Sequence, residues 1–129
     1  NGCLPLLKVE TITKFLNEVV SNGLNPSSVI IKRSNYFFGK DKLPINFSID
    51  LKNLNSKKVS PIYEFANALY FFNRNYFLEK ERYWDWEKLR LIELENSIEL
   101  IDIDTEQDFL IAESVWDNLY KENNFDLED

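Results

Sequence analysis

Hydrophobic residues recur with a helical period near both ends of the chain and with strand-like patterns between them. Across Val9–Ser21, apolar side chains return every three or four positions and Asn22-Gly23 follows, which predicts an amphipathic helix with a defined end. The same spacing over residues 109–120 predicts a second helix. Residues 29–31 form a short apolar run, which predicts a buried strand. Helices that alternate with strands predict an α/β layered fold.

Four further segments fit this alternation. Residues 45–51 alternate apolar and polar side chains, which predicts a half-exposed strand with one dry face. Residues 59–72 end in an apolar run that suits a strand covered on both faces. Residues 75–81 are predicted as a short helix, and residues 89–94 as another strand.

Composition excludes several classes of protein. The 129 residues are 44% hydrophobic, enough for the core of one domain or of part of a larger one. The sequence has no histidine and a single cysteine, Cys3, so Ser-His and Cys-His catalysis and internal disulfides are excluded. No apolar run approaches the roughly 18 to 20 residues of a membrane span, and no leader is recognisable. We therefore expect a cytoplasmic protein without a membrane partner.

Charge is distributed unevenly around a net value of −7. Through Arg90 there are 14 basic and 9 acidic residues, whereas from Leu91 onward Lys121 faces 13 acidic residues. A uniformly acidic chain would repel nucleic acid along its whole length, whereas this one places cations ahead of carboxylates; no nucleic-acid partner is expected. Cations followed by carboxylates suit an anionic ligand held through a metal ion. The alternative is a solvated acidic helix face.

The motif Asp102-Ile103-Asp104 is the main candidate for chemistry. On a predicted strand over residues 101–104, residues two apart share a face, so the carboxylates of Asp102 and Asp104 converge. One or two carboxylates, with waters and phosphate oxygens, are what Mg²⁺ prefers. Thr105–Asp108 reads as the capped start of the following helix. The alternative is that Asp104 and Asp108 only complement the helix dipole, with Asp102 a solvated strand end.

Four stretches carry a resemblance to a known family. Residues 101–113, IDIDTEQDFLIAE, resemble the C-terminal signature of the acylneuraminate cytidylyltransferases, the CMP-sialic acid synthetase family. Residues 1–12 are similar to the family's turn and Glu-Thr-Ile helix, and residues 43–47 to a Pro-Ile-Asn strand found in part of it. Residues 60–70 are similar to a Pro-Val-Tyr segment followed by Asn-Gly-Ala-Ile-Tyr.

The resemblance implies a magnesium-dependent nucleotidyltransferase that joins an acidic nine-carbon sugar to CTP, giving a CMP-sugar and pyrophosphate. It implies a three-layer α/β sandwich of the nucleotide-diphospho-sugar transferase type, with residues 1–129 as its C-terminal portion. The family's basic, Gly-containing nucleotide loop has no counterpart here, so the nucleotide-binding part is expected to be missing and the chain alone inactive. An arm around residues 43–62 is expected to exchange between subunits of a homodimer.

The resemblance also assigns site residues. Asp102 and Asp104 would be catalytic and hold Mg²⁺. The residues expected to contact substrate are Asn1, Asn67, Tyr70, Tyr83 and Trp84. One departure stands out, because Glu64 occupies the position of an arginine in the family, which removes a cation where an acidic sugar binds.

Other interpretations remain open. Tyr83, Trp84 and Trp86 are read from composition alone as core rather than as a sugar platform. Residues 45–51 are either a dimer strand or an edge of the sheet. The second function class is a non-catalytic module of the same fold, used for pairing with itself or with another subunit.

Overall fold

A computed structural model of the chain describes residues 2–119. It contains three helices and a three-stranded sheet, which confirms the α/β class. The elements in chain order are α1 (Val9–Ser21), β1 (Ser27–Arg33), β2 (Ile62–Phe71), α2 (Arg74–Lys80), β3 (Arg90–Glu93) and α3 (Glu106–Leu119). Single turns of 3-10 helix lie at Ser56–Lys58 and Ser97–Leu100. Among the described residues, no helix combines the length and the apolar character needed to cross a bilayer.

The central strand of the sheet is β1, which lies antiparallel to β2 on one side and parallel to β3 on the other. Its residues 27–31 are all buried. This burial explains the continuous apolar run in the sequence, because a central strand is covered on both faces. The segment that the sequence predicts as a buried strand is therefore part of the central strand of the sheet.

The register between β1 and β2 contains a bulge. Ser28 lies opposite Tyr70, whereas the next residue of β1, Val29, lies opposite Ala66. Residues 67–69 of β2 are therefore extra residues in the ladder, and the hydroxyl of Ser28 donates a hydrogen bond to the Leu69 carbonyl across the gap, at 3.3 Å. A bulge of this kind redirects side chains relative to a regular strand.

The hydrophobic core lies between α1, the sheet and the segments that flank them. Helix α1 contributes Phe15 and Val19, which share one face of the helix four residues apart. The buried core residues are Leu4, Phe15, Val19, Val29, Ile31, Ala66, Ala68 and Leu94. The start of α1 is tied to a distant turn, because the backbone N–H of Lys8 donates to the buried carboxylate of Glu99 at 3.2 Å.

The strand predicted over residues 45–51 is wrong. These residues form bends and turns within the long connection of residues 34–61. Asn46 explains the difference, because its side chain accepts from the N–H of Phe37 and donates to the carbonyls of Asn35 and Ser60. These side-chain bonds replace the ladder partners that a strand needs.

The strand predicted over residues 101–104 is also wrong. Ile101 has an extended backbone, but residues 101–103 pair with no strand of the described chain. The N–H of Ile103 instead donates to the carbonyl of Cys3 at 3.0 Å. The prediction of a capped helix after this segment is confirmed, since α3 begins at Glu106, directly after Thr105.

Candidate functional site

A cavity of about 200 Å³ opens beside the bulge in β2. Its walls come from β1, from β2 and from the segment that precedes α3. Its polar side chains are Arg33, Glu64, Asn67, Ser97 and Asp102, and its apolar side chains are Leu4, Ile31, Phe65, Ala66, Ala68 and Leu100. The lining is thus divided almost evenly between polar and apolar side chains, which suits a polar small molecule with some apolar surface.

The bulge brings Asn67 and Tyr70 together. In a regular strand, residues three apart point to opposite faces of the sheet. Here the hydroxyl of Tyr70 donates a hydrogen bond to Oδ1 of Asn67 at 2.8 Å. The bond orients the Asn67 amide, which lines the cavity.

Tyr70 lies in an environment that favours its neutral form. The pKa of Tyr70 is raised above its usual value of 10.0, chiefly by burial, and further by the negative charges of ionised Tyr83 and of Asp102. The phenol therefore remains a hydrogen-bond donor throughout the neutral range.

Aromatic rings cover this side of the sheet. The Tyr70 ring stacks on Tyr83 with centroids 6.2 Å apart, and lies 5.6 Å from Trp84. Trp84 is 6% exposed and Tyr83 is 51% exposed. The two predicted substrate residues thus differ, because Trp84 is buried whereas Tyr83 is exposed to solvent.

The end of α2 directs these aromatic residues back to the sheet. Glu81 ends the helix in the left-handed conformation, at φ 52°. This conformation is common at helix ends because it reverses the chain. Phe77 of α2 then stacks on Tyr83, with centroids 5.4 Å apart.

Asp102 lines the cavity. Its Oδ1 is shielded from solvent. The backbone around it is fixed on both sides, because Ile101 donates to the carbonyl of Ile98 and Ile103 donates to that of Cys3. A carboxylate held in this way adds a second negative charge to a cavity that Glu64 also lines.

Asp104 has a different environment. It is exposed and is absent from the lining of the cavity. Its backbone N–H donates to Oδ2 of Asp108 at 3.3 Å, while the N–H and hydroxyl of Thr105 donate to the same atom at 2.8 and 2.7 Å. The Thr105 hydroxyl, then the backbone N–H of Thr105, lower the pKa of Asp108. The predicted cap is confirmed, and its carboxylate is that of Asp108.

Asp102 and Asp104 were predicted to share one face of a strand. Because residues 101–104 are not in a strand, the predicted convergence of the two carboxylates has no basis in strand geometry. Within residues 2–119, no group of three or more His, Cys, Asp or Glu side chains is arranged to hold a metal ion. Two carboxylates completed by waters and phosphate oxygens suit Mg²⁺, so the donor chemistry of Asp102 and Asp104 fits this ion. Only Asp102 of the two lines the cavity.

Four of the five predicted substrate residues fall in the described part of the chain. Asn67, Tyr70, Tyr83 and Trp84 form one contiguous group with Asp102, through the hydrogen bond, the ring contacts and the cavity described above. Asn1 lies outside the described residues.

Sequence reasoning missed Arg33 as a site residue. Its Nε donates to Oε2 of Glu64 at 2.6 Å, and both side chains line the cavity. Glu64 itself gives part of the signal, because it stands where the cytidylyltransferases that the sequence resembles have arginine. The position of Arg33 beside it depends on the pairing of β1 with β2, which the sequence does not display.

No protein-family model matches this chain, and no curated protein matches it.

Proposed function

We propose that this chain forms the sugar-binding portion of a cytidylyltransferase that joins an acidic nine-carbon sugar to CTP. The observation that carries the proposal is that Asn67 and Asp102 line one cavity, while Tyr70 is hydrogen-bonded to Asn67 and packs against Tyr83 and Trp84. These residues were assigned by resemblance from separate segments. An arbitrary set of five residues has no reason to meet in one place.

The groups around the cavity suit a polyhydroxylated ligand. The hydrogen bond from the Tyr70 hydroxyl to Asn67 fixes the relative position of two polar groups at and beside the cavity. The exposed face of Tyr83 offers an apolar surface for the ring or side chain of a sugar. Orientation of the sugar by such groups lowers the entropic cost of bringing its hydroxyl to the α-phosphorus.

Asp102 and Asp104 would hold Mg²⁺ in the proposed enzyme. When bound, this ion neutralises charge on the phosphates during attack by the anomeric hydroxyl. The part played by the chain is to hold the Asp102 carboxylate at the cavity wall, with its Oδ1 shielded from solvent. Asp104 would reach the same ion from its exposed position just before α3.

We also propose a homodimer in which residues 43–62 form the arm. Leu43, Ile45, Ile49, Leu51 and Leu54 in this segment are between 45% and 82% exposed. A segment with several exposed aliphatic side chains is compatible with an interaction surface. Within the finer fold class that we propose, the three-layer sandwich, this segment would project from the sheet and contact a second subunit.

The direct test is pyrophosphate release by the protein at its natural length, with CTP, Mg²⁺ and N-acetylneuraminic acid. Turnover that requires both the sugar and Mg²⁺, and that stops on chelation, is expected. The 129-residue chain alone is expected to bind the sugar without turning over CTP, because it has no counterpart of the nucleotide loop. Turnover by the 129 residues alone, or no sugar binding by either form, contradicts the proposal.

A second candidate is a non-catalytic pairing module, which the exposed aliphatic side chains of the arm favour. This candidate predicts self-association without sugar binding. Sedimentation of wild type and of the Ile49→Asp variant, together with calorimetric titration of the sugar, separates the two functions. Loss of the dimer by the variant, with no sugar binding by wild type, establishes the second candidate.

A further inference from the structure

Arg33 is the only basic side chain that lines the cavity among the described residues. It extends from the end of the central strand β1, and the cavity also contains the carboxylates of Glu64 and Asp102. An acidic sugar that enters this cavity therefore meets two negative groups and one positive group. Without a cation at its own carboxylate, such a ligand is repelled.

The β1–β2 register explains why Arg33 is next to Glu64. Ile31 lies opposite Glu64 and Arg33 lies opposite Ile62, so Arg33 and Glu64 are diagonal neighbours on one face of the sheet. The resulting contact joins Nε to Oε2 at 2.6 Å. Position 64 carries a glutamate where the resembled family has arginine, and Arg33 on the neighbouring strand places a cation beside it.

Stability alone is a poor explanation for this ion pair. The side chains of Arg33 and Glu64 are 41% and 54% exposed, and exposed pairs of this kind add little to the free energy of unfolding. Within residues 2–119, Glu64 is the only hydrogen-bond or ion-pair partner of the guanidinium, through Nε. The two terminal nitrogens keep their N–H donors, in the fork geometry that matches a carboxylate.

We propose that Arg33 binds the carboxylate of the acidic sugar and takes the place of the arginine that Glu64 replaces. This inference rests on the proposed function, because it names the residue of that cavity that selects an acid over a neutral sugar. Glu64 occupies Nε, and the terminal nitrogens face the ligand carboxylate. The cavity thereby distinguishes a sugar acid from its uncharged ester.

The test compares the binding of two ligands to four proteins by calorimetric titration, at the natural length of the chain. The ligands are N-acetylneuraminic acid and its methyl ester, which differ in the charge of one group. The proteins are wild type, Arg33→Gln, Arg33→Lys and Lys32→Gln. Lys32 is the matched control, because it is the neighbouring exposed cation on β1 and is absent from the cavity lining. Thermal unfolding of each variant reports on its fold.

Wild type is expected to prefer the acid. Arg33→Gln is expected to weaken binding of the acid about ten- to a hundredfold, the effect of losing a charge-assisted contact, and to change binding of the ester by less than about twofold. Arg33→Lys is expected to retain part of the affinity, since lysine keeps the charge but not the fork. Lys32→Gln is expected to bind both ligands as wild type does.

Three results overturn the inference while leaving sugar binding intact. They are unchanged affinity of Arg33→Gln for the acid, equal losses for acid and ester, and equal losses in Arg33→Gln and Lys32→Gln. Failure of wild type to bind either ligand has a different meaning, because it removes the proposed function together with the inference.

Discussion

The cavity wall at Asp102 and the helix start at Asp104 lie two residues apart and have different structures. Asp102 lines the cavity and has an oxygen shielded from solvent, whereas Asp104 is exposed and contributes its backbone N–H to a helix cap. In the sequence the two residues are equivalent members of one Asp-x-Asp motif. In the structure, one belongs to the cavity and the other to the end of a helix.

This difference shows how strongly a carboxylate pair depends on the local backbone. Convergence of the two side chains was derived from the alternation of a strand, and residues 101–104 are not in a strand. The cap is complete with Thr105 and Asp108, so the Asp104 carboxylate is not needed to satisfy it. Asp104 is thus left exposed, where a ligand or an ion can reach it.

The largest expected effect is on turnover at the two aspartates. If Asp102 and Asp104 share Mg²⁺, then Asp102→Asn and Asp104→Asn each lower kcat by about two powers of ten or more in the protein at its natural length, with little loss of stability. Steady-state turnover titrated with Mg²⁺ measures this. Glu106→Gln is the matched control, because it removes an exposed carboxylate from the first turn of α3.

Near-normal turnover in Asp104→Asn, with reduced turnover in Asp102→Asn, would show that only the carboxylate at the cavity wall takes part in the reaction. Near-normal turnover in both variants, with a shifted melting temperature, contradicts the metal assignment and leaves the two residues with structural roles only.

A smaller effect is expected at Tyr70, which is hydrogen-bonded to the cavity residue Asn67. Tyr70→Phe keeps the ring but removes the hydroxyl that orients Asn67, so affinity for the acidic sugar is expected to fall about fivefold, the effect of one neutral hydrogen bond. Calorimetric titration measures it. Tyr63→Phe, at an exposed position of the same strand, is the control and is expected to bind normally. Equal affinity of wild type and Tyr70→Phe excludes the hydroxyl from recognition.

At the helix start the expected effect is on stability alone. Thr105→Ala removes the side chain that both donates to Asp108 and accepts from its N–H, and is expected to lower the free energy of unfolding by about 1 kcal/mol. Urea unfolding measures the change, and sugar affinity is expected to stay unchanged. Ser114→Ala, at an exposed position within α3, is the control. A loss of sugar affinity in Thr105→Ala would show that the helix start and the cavity are coupled.

The smallest expected effect is a shift in the titration of Tyr70. Its raised pKa means that the folded state favours the protonated phenol, so this contribution to stability is complete below the unfolded value of 10.0 and is lost as pH rises through the higher folded value. Asp102→Asn is expected to bring the pKa of Tyr70 part of the way back, because burial, the largest cause, remains. Ultraviolet titration of tyrosinate, with Tyr70→Phe to assign the signal, measures it. An unchanged titration in Asp102→Asn would place Asp102 too far from the phenol to share a ligand with it.

The sequence by itself determined the elements whose partners are local. The helical spacing of Val9–Ser21 predicted α1 with its bounds, and Thr105 with Asp108 predicted the start of α3, because helix hydrogen bonds and caps join residues close in the chain. The apolar run in β1 predicted a buried strand for a similar reason, because burial on both faces of a strand favours consecutive apolar residues.

Tertiary structure alone decided everything that depends on a neighbouring segment. Residues 45–51 alternate like a strand, yet the side chain of Asn46 takes up the backbone groups around it. The bulge that joins Asn67 to Tyr70, and the pairing that sets Arg33 beside Glu64, come from the register of two strands. The register of two strands depends on segments that are far apart in the chain, whereas the periodicity of a sequence reports only on the burial of a single segment. The side chains that define the cavity therefore became visible only in the fold.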